Sequence, residues 1–238
     1  MSSGLPTLPI SIAVSAAEKG SGRLTQRNLE IATRALVRDG LVVLEDLVDH
    51  AVLDRLNEKM VQDAYELQSR KDSPYNYNKG NIQQDPPLTS DYFEDTIYTN
   101  PIVTQVTSTT LGPYPSLRFV SGNTALPPTP DSPPASQPIH ADADFDHPSI
   151  PFALVINIPL VTMTPENGST EIWLGTHSAT SIADQEADDL KERLTREQTG
   201  LDVAATFASE KEVLRGYLNR PYGNAYDFDQ FDKIEGIF

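Results

Sequence analysis

The sequence contains no cysteine, which removes disulfide scaffolds, thiolate metal sites and cysteine nucleophiles at one stroke. Histidine is scarce: His50, His140, His147 and His177 are the only four, so none follows His177. Basic residues are also few, with 18 Lys and Arg against 34 Asp and Glu, and the formal net charge is −16. Phosphate backbones and anionic membrane surfaces repel such a chain, which argues against nucleic acid or membrane as partners. No run approaches the ~18 consecutive apolar residues that a membrane-spanning helix needs. The opening "MSSGLPTLPISIAVSAA" lacks a basic start and is interrupted by Pro6 and Pro9, so it reads as an extended arm rather than a secretion signal. A soluble, cytoplasmic protein is expected.

What is present suits one globular domain. The chain has 238 residues, 38% of them hydrophobic, and divides into an arm over 1–24 and a single domain over 25–238. Thr25 can cap a helix with Leu29, Ala32, Ala35 and Leu36 on one face, and Gly40 stops it. "LVVLEDLVD" reads as a buried strand and turn, after which Asp49 caps a helix carrying Leu53, Leu56, Met60, Ala64 and Leu67. Arg70 and Lys71 close that helix, where cations suit the negative end of the dipole. These stripes are core faces.

From Asp72 to Asp91 the chain turns polar and Pro-rich, and a loop of that length often belongs to a binding site. Pro101 opens a third helix that reaches Leu111, with Gly112 after it. Beyond it the period shortens: "SLRFVSG", "QPIHADADF", "PFALVINIPL" and "STEIWLGTH" read as short strands parted by Pro and Gly turns. A helix is expected over Ser181 to Gln198, and Ser209 with Glu212 has the spacing of a capping box. No strand pattern is evident in the last segment, and no internal repeat occurs. Helices first and strands afterwards indicate an α+β domain.

Side chains two apart on a strand point the same way, which puts His140 and Asp142 on one face. One imidazole and one carboxylate are two corners of a facial site for non-haem Fe(II), which a second histidine completes. On its own, His-x-Asp is a weak signal that turns up often by chance, and it reads as a hydrogen-bonded pair in a turn.

The wider stretch, "QPIHADADF…PFALVINIPL…ENGSTEIWLGTH", resembles the phytanoyl-CoA dioxygenase family, and within it the fungal members that decorate secondary metabolites. The resemblance covers Leu41 to Thr180, including "NIQQDPPL" and "LRFVSGNTALP", and is densest from Gln137 to His177. It implies a double-stranded β-helix, or jelly roll, with helices packed outside. It also implies Fe(II) and 2-oxoglutarate as cofactors and oxidation of a small-molecule substrate, by hydroxylation or desaturation. His140 and Asp142 fall on the first two iron ligands of the family, and Gln137 on a glutamine that contacts 2-oxoglutarate. Thr170, on a strand whose inward face would be Thr170, Ile172 and Leu174, resembles a threonine contacting the co-substrate. Its hydroxyl can donate to a carboxylate. Gln83 in "NIQQ" is a further candidate contact, or else a surface glutamine.

The family pattern then continues into a strand with the distal histidine and an arginine that pairs with the far carboxylate of 2-oxoglutarate. Neither has a counterpart after "GTH" in this sequence. His177 falls on a position of the family that does not bind metal, His147 on a loop mouth and His50 on a helix start, and nothing around Asp227 supports it as a substitute. The jelly roll therefore reads as lacking its last strands, whether through a gene model that leaves the true frame or in a truncated copy. The alternative function is a non-catalytic pseudoenzyme. Its uncovered sheet edges would favour pairing with a second copy or with a catalytic relative.

Overall fold

The computed structural model describes residues 8–137, 139–140, 151–178, 205–206 and 213–218. Among them helices and strands are mixed. Strand β1 (Ser11–Ala13) leads into helix α1 (Ala16–Ser21) and helix α2 (Gln26–Asp39). Strand β2 (Leu41–Glu45) and helix α3 (His50–Gln68) follow, then β3 (Asn81–Gln84), the single turn α4 (Asp95–Tyr98), α5 (Pro101–Leu111) and β4 (Gly122–Ala125). The remaining strands are β5 (Leu154–Asn157), β6 (Glu171–Ile172), β7 (Ala205–Thr206) and β8 (Val213–Leu218).

The expected helices stand where their caps put them. Thr25 Oγ1 accepts the Asn28 N–H at 3.3 Å, and Gly40 ends α2 in the left-handed region at φ 73°. Asp49 accepts the Ala51 N–H at 2.8 Å to start α3. Asn100 caps α5, with Pro101 at its first position. The Asn100 side chain is 6% exposed, accepts the Ile102 N–H at 3.0 Å and donates to Thr96 O at 2.9 Å. Asn100→Ala is expected to cost about 1–2 kcal/mol in a urea melt, because it strips the α5 cap and orphans the Thr96 carbonyl.

Four departures from the sequence reading have physical causes. Residues 8–24, expected as part of an extended arm, instead carry β1 and α1 and bury Ile12, Val14 and Leu24. β1 pairs parallel to β2 and so completes a sheet edge that no local pattern reveals. Helix α3 stops at Gln68, one turn short of using Lys71 as a closing charge. "SLRFVSG" is not a strand: pairing begins only at Gly122, in β4. After the Ser209–Glu212 capping spacing the chain is strand β8, not helix. The helix expected over Ser181 to Gln198 lies outside the described residues.

The main sheet runs β1-β2-β8-β5, with β8 antiparallel to both neighbours. β2 is buried on both faces, as its unbroken apolar run requires. Val42 and Leu44 join Ala32, Leu36, Ile102 and Val106 in the core under α2 and α5. Leu41 meets Leu174 and Ile172 on the opposite side. A second core, around Leu53, Leu56 and Met60 of α3, takes in Ile97 of α4. Among the described residues no helix is long and apolar enough to cross a membrane.

Candidate functional site

The early polar loop is a hairpin. Tyr75 bridges Ile82, the Asn76 N–H donates to Asn81 O at 2.8 Å, and β3 continues into pairing with β4. The strand period then sorts the two glutamines of "NIQQ". Ile82 and Gln84 are buried, and Gln84 Nε2 donates to Met60 O and to Thr124 Oγ1, each at 2.9 Å. Gln83 is on the other face, half-buried and opposite Asn123, which accepts from Asn76 Nδ2 at 2.9 Å. Gln83 thus shares a face with polar amides, while the adjacent Gln84 is a structural clamp between α3 and the ribbon.

Gln137 and His140 are both exposed and have no regular secondary structure, so the strand expected for "QPIHADADF" is absent from its described part. Asp142 lies outside the described residues, as do His147 and Asp227. His50 is the exposed first residue of α3.

Thr170 precedes β6 and is exposed, whereas Ile172 and Leu174 turn inward onto Leu41. The inward face is therefore Ile172 and Leu174 without Thr170, because regular pairing starts only at Glu171. Beside Thr170, the Ser169 hydroxyl is buried and has no hydrogen-bond partner among the described residues. Reasoning from sequence passed over this residue, since the exposed threonine carried the resemblance.

"LGTH" is a clasp on the end of α2. The Gly175 N–H donates to Asp39 O at 2.8 Å, with Gly175 at φ 78°, and Thr176 Oγ1 donates to Trp173 O at 2.7 Å. A short 3₁₀ turn, Thr176–Ser178, then lays the half-buried His177 ring against Gly40. A Cβ at Gly40 would lie 2.5 Å from His177 Nδ1 and 2.6 Å from its Cγ. The His177 ring thus packs on the end of α2.

Among the described residues no three His, Asp or Glu side chains converge on a point that could hold a metal. His140 is the one proposed iron ligand that the described residues include. Those residues therefore do not by themselves fit an iron site. Residues 36–208 match the family model described as phytanoyl-CoA dioxygenase (PhyH). That span contains the hairpin of Gln83, the His140–Asp142 pair and the clasp of His177.

Proposed function

Because the chain belongs to the phytanoyl-CoA dioxygenase family, we propose that it is an Fe(II)- and 2-oxoglutarate-dependent dioxygenase acting on a small-molecule intermediate of secondary metabolism. Members of the family use Fe(II) and 2-oxoglutarate on a cupin-type jelly roll. The observation that carries the reading is the family match over residues 36–208, which takes in the stretch from Gln137 to His177. In this reading His140 and Asp142 hold the metal. Gln137, Thr170 and Gln83 bind the co-substrate, joined by the buried Ser169 hydroxyl. Iron and 2-oxoglutarate supply the oxidising chemistry when bound, and the chain's own side chains orient the carboxylates and exclude water.

Anaerobic addition of Fe(II) and 2-oxoglutarate is expected to give a weak visible charge-transfer band, with release of succinate once oxygen is admitted. His140→Ala and Asp142→Ala should each abolish the band, with binding weakened at least ~10-fold, the scale on which lost metal-site interactions are felt. A band that survives both substitutions would place the metal elsewhere. No band in the unaltered chain would reject the enzyme reading for these 238 residues.

A further inference from the structure

The connection that leaves β4 is Pro-rich and lies on the surface. It reads "LPPTPDSPPASQ" over 126–137, and Pro127, Pro128, Pro130, Pro133 and Pro134 are all exposed. Its start is tied down where the Leu126 N–H donates to Gly80 O at 2.8 Å. Further on, Thr129 and Ser132 exchange two backbone hydrogen bonds, each of 3.0 Å, around Pro130 and Asp131. Proline suits the second position of such a turn because its φ is already set.

A hydroxyl residue directly before proline occurs at Ser73, Thr129, Ser132 and Thr164. Thr129 and Ser132 also have a proline two residues earlier, Pro127 and Pro130. Proline at both places is the pattern that proline-directed Ser/Thr kinases select. The following proline has no N–H to leave unsatisfied in an apolar slot of the enzyme, and it holds the acceptor residue extended. The structure separates the four hydroxyls. That of Ser73 is buried. Thr164 is half-buried in the capping box of the 3₁₀ turn Pro165–Asn167. Ser132 is half-buried against the hairpin tip, where a Cβ built at Gly80 would stand 3.6 Å from its Oγ. Thr129 is exposed, and its bridge to Ser132 is already extended backbone. We propose that Thr129 is a phosphorylation site for a proline-directed Ser/Thr kinase. The kinase transfers the γ-phosphoryl group of ATP. A P–O bond forms to Thr129 Oγ1, the bond to the β-phosphate breaks, ADP leaves, and the hydroxyl proton passes to the kinase's carboxylate base. A substrate segment enters such an enzyme extended, so the turn must open. Opening gives up two backbone bonds and uncovers no buried side chain between Pro127 and Ala135, which puts it at the low end of local unfolding costs. The phosphate would bring about −1.5 to −2 charges to the connection that runs on to Gln137 and His140. The modification stands on exposure and sequence pattern, independently of the dioxygenase reading.

The test incubates the folded full chain with Mg-ATP and a proline-directed Ser/Thr kinase and maps the phosphate by tandem mass spectrometry. About one phosphate per chain is expected, on Thr129. Thr129→Ala should lose that incorporation. Pro130→Ala should lose most of it although the acceptor hydroxyl is still present, and Ser132→Ala should leave it unchanged. Circular dichroism of each variant checks that the fold is kept. A folded chain that takes up no phosphate would overturn the proposal, as would phosphate on Ser73, Ser132 or Thr164 in place of Thr129. Incorporation at Thr129 that is indifferent to Pro130→Ala would overturn the class of kinase.

Discussion

Gly40→Ala is expected to destabilise the protein by about 3–4 kcal/mol, the largest effect of any single methyl added to a described glycine. Two penalties fall on one atom. The residue sits at φ 73°, where an L side chain costs roughly 1–2 kcal/mol. The new Cβ would also stand 2.5 Å from His177 Nδ1, 2.6 Å from Cγ and 2.9 Å from Cβ. The last of these is close to the His177 backbone, so a turn of the ring cannot relieve it, and the clasp from Leu174 to His177 must lift off α2. Overpacking of that kind costs typically about 1–3 kcal/mol. Urea denaturation should show a lower midpoint at unchanged slope, and calorimetry a Tm lower by roughly 10 °C.

A double-mutant cycle separates the penalties. On a His177→Gly background all three contacts disappear, so Gly40→Ala should cost about 1–2 kcal/mol there, the backbone strain alone. Gly20→Ala is the control. That glycine is inside α1 with nothing within 4 Å of a built Cβ, so the substitution should be neutral or stabilising by up to about 1 kcal/mol. Equal costs at Gly40 with and without the His177 ring would show that the clasp does not bear on α2.

Gly40 also illustrates what local chemistry makes legible. Thr25, Gly40, Asp49 and Pro101 mark helix ends because a cap satisfies orphan backbone groups within one turn of itself, and all four stand at the boundaries of α2, α3 and α5. Strands are decided elsewhere. "VLRGYL" was passed over in favour of the capping spacing before it, since what makes it β8 is the pair of distant partners, β2 and β5, on either side. Ser15 to Glu18 has the same capping spacing inside the expected arm. There the box does form, at the start of α1, within a stretch that reads as an arm because Pro6 and Pro9 interrupt it. The candidate site divides similarly. The spacing of His140 and Asp142 is visible in the chain, whereas their common face depends on a strand that the described backbone around His140 does not form.

Glu18→Gln is expected to cost about 2–3 kcal/mol at neutral pH and progressively less as the pH falls. Glu18 is 4% exposed and holds two helix starts together. Its Oε1 accepts the Thr25 N–H at 2.7 Å and Asn28 Nδ2 at 2.9 Å, both at the start of α2. Its Oε2 accepts the Ser15 hydroxyl at 2.8 Å and the Ser15 N–H at 3.1 Å, which closes the capping box of α1. All four groups donate, so only a carboxylate can serve every one. A glutamine must turn its amide nitrogen toward one pair and leave those donors buried without an acceptor. The Thr25 N–H above all, then the Ser15 hydroxyl and N–H, hold the carboxyl near 2 against an ordinary 4.5, with burial pulling the other way. A folded-state pKa below the unfolded one means that the carboxylate contributes in full above about 4.5 and loses its contribution as the pH falls from there through about 2. Measured as the difference between the two proteins, which cancels the titration of the other carboxylates, the gap should be constant from about pH 7 to 5. It should shrink by more than half by about pH 3. A gap that stays level down to pH 3 would mean that hydrogen-bond geometry, not charge, is what Glu18 contributes to the junction of α1 and α2.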